Sequence, residues 1–263
     1  MKVKDIVAYF EQKVPFGLAA PWDNIGLQCG DEEVEVKRIV VALDPSEAAI
    51  NFAIKQKAQL LVTHHPLIFS PLKKVTSSDP VASLLMKMIK HDLNLLALHT
   101  NLDSIKEGVS AALLNQLGIK GEGVIQLGKL PETGFGYWGK LDRALSRDEF
   151  VRLVKERLHV PLVRVLGERD KVQRIGVCGG SGADLIPLCL KRGIEALVLG
   201  EIKYHPARLF ENVPLLIIEV GHYESEKFIL PRLKGWLEIL FQQRGKKGEV
   251  LLFEETSPYK YYF

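Results

Sequence analysis

Short, nearly unbroken Val/Ile/Leu runs alternate with segments of helical period along this chain, and few folds accommodate that pattern. The runs are Arg38–Leu43, Gln59–Thr63, Leu93–Leu98, Arg174–Cys178, Glu195–Leu199 and Pro214–Val220. Strands this apolar are buried on both faces, as in parallel sheets covered by helices. Between them the spacing predicts helices over Ser46–Lys57, Val81–His91, Leu185–Arg192 and Ser225–Arg244. A further helix starts at Ser146, where Ser146-Arg-Asp-Glu149 reads as a capping box, and runs to about Leu158 before Pro161. The order βαβαβ occurs twice, which predicts an α/β fold with mostly parallel sheets.

The two halves read as relatives. Arg38–His65 lies over Arg174–Glu201 without a gap, with Arg38/Arg174, Ile39/Ile175, Val41/Val177, Ile50/Ile186, Lys55/Lys191, Leu61/Leu197 and Val62/Val198 identical. Two βαβ units share some of this by pattern alone, so the register carries more than the identity. The Gly/Pro-rich stretch Gly118–Gly139 is the best candidate boundary, giving repeats at 1–125 and 126–263.

Composition narrows the class. The 263 residues are 47% hydrophobic and 25% charged, which excludes a disordered or disulfide-stapled chain. Net charge is only +3, and the one tight basic cluster is Arg244, Lys246 and Lys247, a solvated loop rather than a nucleic-acid face. No apolar run approaches the ~18 residues of a membrane span. The first residues carry Asp5 and Glu11 and do not resemble a signal peptide. Cys29, Cys178 and Cys189 are odd in number and widely spaced, pointing to free thiols in a reducing, cytoplasmic setting.

The chemistry lies at strand ends. In open parallel α/β sheets, ligands bind beyond the carboxyl ends of the strands. Here His64 and His65 follow one strand and are closed off by Pro66. His99 and Asp103 follow the next, and Glu201 ends the equivalent strand of the second half. His222 follows Gly221, with Glu226 four residues on, on one face of a helix begun near Tyr223. The set His64, His65, Asp103, His222 and Glu226 suits borderline divalent ions such as Zn, Fe, Mn, Co or Ni. It contains no thiolate, unlike most structural zinc sites, and five ligands suit two ions joined by a carboxylate. A lone histidine at a strand end is usually a packed core residue; three His/acid clusters at equivalent topological points are not explained that way.

The same residues carry a resemblance. Thr63-His-His-Pro-Leu-Ile-Phe69, Leu98-His-Thr-Asn-Leu-Asp-Ser104, Gly200-Glu-Ile-Lys-Tyr-His205, Gly221-His-Tyr-Glu-Ser-Glu226 and Pro21-Trp-Asp-Asn-Ile-Gly-Leu27 resemble the signature blocks of the YbgI family. That family is labelled GTP cyclohydrolase 1 type 2 homolog and includes the NGG-interacting-factor-three-like proteins. The resemblance implies two intertwined, related α/β repeats with a dinuclear metal site at the strand ends between them, in a toroidal homohexamer. It implies that His64, Asp103 and Glu226 hold one ion and that His65, His222 and Glu226 hold the other. Many relatives carry an extra domain between the halves; here only the connection around Gly118–Gly139 is present.

Other residues carry weaker signals. Glu201 and His205, at i and i+4, could line the pocket as orienting or proton-transfer groups, or form a helix-start ion pair. His99 could orient Asp103, act as an acid/base, or simply pack at the strand end. Asp23 and Asn24 read as an Asx-type turn, and Asp44-Pro45-Ser46 as a helix cap. Cys178-Gly-Gly-Ser-Gly182 could offer amides to an anion but lacks the lysine of a P-loop. His91 and His159 read as structural or exposed, Cys178 and Cys189 as core, and the aromatic tail Tyr259–Phe263 as packed on its own domain or a neighbouring subunit. The chain is thus expected to be a metal-dependent hydrolase of a nucleotide-like or heterocyclic small molecule. The alternative is a non-enzymatic metal-handling or regulatory protein.

Overall fold

In the computed structural model, which describes residues 1–260 and 262, the apolar runs are strands and the segments between them are helices. α1 (Val3–Lys13) buries Val3, Ile6 and Phe10, the stripe of an amphipathic helix. β1 (Gly26–Cys29) and β2 (Arg38–Ala42) precede α2 (Glu47–Lys55), whose first turn is capped by Ser46 Oγ accepting the Ala49 N–H. β3 (Leu60–Thr63) leads to α3 (Pro80–Lys90), capped by Asp79 with proline at the first position, and then to β4 (Asn94–Ala97). The chain continues through the single turn α4 (Thr100–Ser104), α5 (Val109–Gln116), β5 (Lys120–Leu127) and β6 (Gly134–Ser146). α6 (Arg147–Leu158) carries the expected Ser146/Glu149 capping box. β7 (Arg164–Leu166), β8 (Lys171–Ser181), α7 (Ile186–Lys191), β9 (Ala196–Glu201), α8 (Tyr204–Leu209), β10 (Leu216–Glu219) and α9 (His222–Glu226) follow. α10 (Leu230–Gln243) and β11 (Glu249–Leu252) complete the described elements.

The chain divides into two compact units, Met1–Leu102 with Leu230–Thr256, and Asp103–Ile229 with Ser257–Phe263. The first holds a five-stranded sheet ordered β1-β4-β3-β2-β11, parallel except for β1. The second holds a six-stranded sheet ordered β5-β6-β8-β9-β10-β7, in which β8, β9 and β10 are parallel and the flanking strands antiparallel. Both centres are three parallel strands in the same order. Ile39 faces Leu60 in the first and Ile175 faces Ala196 in the second, the same separation along the chain. The ungapped register read from the sequence is therefore the register of the sheets.

Burial explains the apolar runs. All four residues of β3, β4 and β10 are buried. In the second sheet Val177, Val198 and Ile218 pack with Phe150 and Val154 of α6, while Leu197, Leu199 and Ile217 pack with Ile186 and Cys189 of α7. Alternate residues thus serve opposite faces. In the first sheet Val40, Leu61 and Leu95 pack under Ile50 of α2 and Met88 of α3.

Two segments differ from their sequence reading. The segment 118–139 forms most of the β5–β6 antiparallel pair rather than a plain connection. The helix expected over 225–244 is broken: α9 ends at Glu226, a 3-10 turn covers Lys227–Ile229, and α10 begins at Leu230. Pro231 is the cause, because it has no N–H for an upstream carbonyl and its ring clashes with the preceding turn. Among the described residues no helix is long and apolar enough to cross a membrane.

Candidate metal centre

In the first unit, β3 and β4 deliver three imidazoles. The His64 and His65 amides both donate to the Leu43 carbonyl, at 3.1 and 2.9 Å, which fixes the turn beyond β3. The His64 side chain is fully buried and its Nδ1 lies 2.9 Å from the Leu98 carbonyl. A carbonyl only accepts, so Nδ1 carries the proton and the neutral ring keeps its lone pair on Nε2. His65 Nδ1 is held by Asp44 Oδ1, and His99 Nδ1 by Asp23 Oδ1, both at 2.8 Å. All three rings are therefore oriented through Nδ1, the arrangement that fixes tautomer and raises basicity in metal-ligating histidines. Ring centroids are 4.8 Å apart for His64 and His65, and 5.2 and 5.4 Å from each of them to His99. The three rings offer ligand atoms within 4.8 Å of one another.

The carboxylates behind these rings are themselves held. Asp23 Oδ1 also accepts the Asn24 N–H, while Oδ2 accepts the Thr100 N–H at 3.0 Å and the Thr100 hydroxyl. Burial alone would raise its pKa; the hydrogen bonds from His99 and Thr100 outweigh that and hold it at about 2. Asp44 lies beside Glu255, which accepts from the Leu43 and Asp44 amides and from the Ser46 hydroxyl. Burial pushes the Glu255 pKa up, and the Asp44 charge adds to that.

In the second unit, Gly221 at φ +107 turns the chain from β10 into α9. A Cβ there would lie 2.1 Å from Glu224 Oε2, so only glycine fits. One helical turn then sets His222 Nε2 3.2 Å from Glu226 Oε2, while His222 Nδ1 lies 3.6 Å from Glu201 Oε2 at the end of β9. The Glu226 side chain is only 4% exposed. β8 passes beneath it: a Cβ on Gly180, at φ +63, would meet Glu226 Oε1 at 2.5 Å and His222 Nε2 at 3.2 Å. Burial pushes the Cys178 thiol pKa up, and the negative charges of Asp103 and Glu226 push it further. Asp103 and Glu226 thus act electrostatically on one region of this unit.

The remaining sequence-selected residues fall as follows. His205 on α8 is exposed and lines a separate cleft with Asp184, Leu209 and Phe210. Glu201 instead lines a cavity of about 570 Å³ with Lys203, Gly221, His222, Tyr259 and Lys260. His91 and His159 are exposed C-caps of α3 and α6. The three cysteines are buried and free. The Cys178–Gly182 stretch is mostly strand, and its Gly179 and Gly180 amides donate to Ser110 and Ser225. Those two amides are already spent, so the stretch is no anion loop. Tyr262 is exposed, and Tyr261 and Phe263 of the tail lie outside the described residues. Ser46 is the helix cap as expected, while Asp44 beside it serves His65 instead. Asp23 accepts the N–H of Asn24, one residue on rather than the two of an Asx turn, and anchors His99. No sequence signal joins either aspartate to its histidine, because the pairs are far apart along the chain.

The donor chemistry fits a divalent cation. Bonds of ~2.0–2.2 Å at ordinary coordination angles place adjacent ligand atoms roughly 3.0–3.4 Å apart, as His222 and Glu226 are. Imidazoles with Nε2 left as the lone-pair nitrogen, together with buried carboxylates, suit borderline metals. Fold and site together thus define an α/β protein with two related sheets whose His/Glu clusters could bind metal. The sequence matches the family described as Duf34/NIF3 (NGG1p interacting factor 3) over residues 1–258, and the chain belongs to that family. A Clostridium acetobutylicum relative called GTP cyclohydrolase 1 type 2 homolog is 29% identical over 265 residues, covering 99% of each chain. A Clostridium perfringens relative of the same name is 34% identical over 86% of this chain and 87% of its own. The crystal structure of a hypothetical protein from Staphylococcus aureus shares 28% identity at a TM-score of 0.91, covering 100% of this chain and 99% of that one.

Proposed function

We propose that the protein binds two divalent metal ions per chain and acts as a metal-dependent hydrolase of a nucleotide-like or heterocyclic small molecule, as a cytoplasmic homohexamer. The observation that carries the reading is the common orientation of His64, His65 and His99, each held at Nδ1 by an oxygen acceptor. Membership in the Duf34/NIF3 family and the name borne by the clostridial relatives support the hydrolytic assignment. In this reading His64, Asp103 and Glu226 would hold one ion, and His65, His222 and Glu226 the other. Ions so held supply Lewis-acid polarisation of a substrate oxygen. Asp44 fixes the ring of His65 through its hydrogen bond to Nδ1, and Glu201 lies 3.6 Å from His222 Nδ1. His99, oriented by the ionised Asp23, moves a proton at its Nε2.

A second reading, a metal-handling protein, is favoured by one observation: the side chains of His222 and Glu201 are 37% and 47% exposed, open to an exchanging ion. One experiment separates the two. Protein loaded with Zn, Mn or Fe is assayed against nucleotides and pterins, and challenged in parallel with a chelator. The hydrolase reading predicts turnover that is lost in Glu226→Ala, with ions retained through catalysis. Rapid loss of one ion to the chelator, without turnover of any substrate, would replace it with the carrier reading.

A further inference from the structure

Two large aromatic side chains in the first unit are left in solvent although their backbones are tightly held. Trp22 is 60% exposed and Phe69 56%. Their rings lie 5.7 Å apart at 36°, and both meet the His99 ring edge-on, at 6.0 and 6.2 Å. The Trp22 turn is anchored through Asp23, which binds His99 and Thr100. The Phe69 loop is tied to that turn by side chains: Asn24 Nδ2 donates to the Ile68 carbonyl at 2.6 Å, and Gln28 Oε1 accepts the Leu67 and Ile68 amides at 2.8 and 3.0 Å. Gln28 Nε2 in turn donates to the Asn24 carbonyl at 2.7 Å. Six hydrogen bonds thus hold the two ring-bearing loops in place without covering the rings.

Exposed aromatics on fixed loops lose little entropy on binding, so their faces are preorganised for another flat surface. Their common neighbour is polar. His99 touches both rings and also the rings of His64 and His65. An occupant must therefore offer a π face to Trp22 and Phe69 and a hydrogen-bonding edge to the imidazoles. An aliphatic protein segment offers neither an aromatic face nor a polar edge, and a simple phosphate only the second.

We propose that Trp22 and Phe69 form a stacking platform that receives the planar heteroaromatic ring of a small-molecule ligand and points its polar edge toward His99. This names the substrate class of the site proposed above; it rests on that reading for the ions but not for the ring contact. Base-on-aromatic stacking contributes enough that removing one ring weakens binding on the order of 5- to 100-fold.

The test uses the full chain, its metal content measured alongside, and saturation-transfer NMR with guanosine, pterin and nicotinamide as aromatic-ring probes and D-ribose as the non-aromatic control. At least one ring probe is expected to bind, with its ring protons saturated more than any sugar protons. Trp22→Ala and Phe69→Ala should each weaken that binding on the order of 5- to 100-fold and leave metal content and melting temperature unchanged. Trp22→Phe should retain most of it. The proposal is overturned if the metal-loaded protein binds none of the three probes at millimolar concentration, or if both alanine variants bind as the wild type does. It is also overturned if Trp22→Ala dissociates the native oligomer, since a second copy of the chain then covers the rings. Ring binding without any bound ion would sink the metal reading and leave this one standing.

Discussion

Replacing Gly180 with alanine stresses the His222–Glu226 pair without touching either residue. Gly180 sits at φ +63, where a side chain costs about 1–2 kcal/mol. The added Cβ would also lie 2.5 Å from Glu226 Oε1, whereas ordinary contact begins at 3.4 Å. The carboxylate or the strand must therefore give by about 0.9 Å, against a tolerance of ~0.2 Å in metal–ligand distances. The Glu226 side chain is almost fully buried, so little room is left for it to swing. The backbone term alone should lower the melting temperature by roughly 2–8 °C in a chain of this size. Metal affinity should fall at least about tenfold, since even indirect disturbance of a ligand commonly costs that much. Calorimetric melting of the metal-free protein and titration with Zn or Mn would measure the two effects separately. Gly17→Ala is the control, because nothing lies within 4 Å of its Cβ position. A Gly180→Ala protein that melts and binds metal like wild type would refute the packing argument.

Further outcomes follow from single side chains. Asp44→Asn replaces the carboxylate that holds His65 Nδ1, and should weaken metal binding about 10- to 100-fold with little change in melting temperature, read by the same titration. Asp23 is held at about 2, below its ordinary 3.8, so its contribution of about 2 kcal/mol is full above the ordinary value and disappears as pH falls toward 2. Urea unfolding at neutral and acid pH should show Asp23→Asn less stable at neutrality and the difference shrinking below about pH 4. Gly235 lies in α10 with nothing near its Cβ position, so Gly235→Ala should raise stability by about 0.5–1 kcal/mol, measured by thermal melting.

The parallel centres of both sheets were legible because strands buried on both faces read as unbroken apolar runs, and because β3 and β9 share their spacing from β2 and β8. The β5–β6 pair was not. β5 is exposed at five of its eight positions, so its sequence carries neither an apolar run nor a clean alternation. The α9/α10 break was written in Pro231 but hidden within a continuous helical period. At the site, residues that follow strand ends in sequence could be found: His64, His65, His99 and His222 are where topology places ligands. Asp23, Asp44 and Glu255 could not, because each acts through a partner brought near only by the fold. Gly180 was visible only as part of a glycine-rich stretch, and its reason, the side chains of Glu226 and His222 lying against it, is tertiary. The expected 1–125 and 126–263 repeats rest on the equivalence of the two βαβ patterns. The path of the chain adds that α10 and β11 return to the unit that begins at Met1.

The proposed centre would hold two divalent ions through His64, His65, Asp103, His222 and Glu226. Elemental analysis of the purified protein, beside His65→Ala and Glu226→Ala, tests it most directly. About two ions per chain are expected in the wild type, fewer in His65→Ala, and the largest loss in Glu226→Ala, whose carboxylate would serve both ions. Zero ions after loading, or a content unchanged by both substitutions, would contradict it.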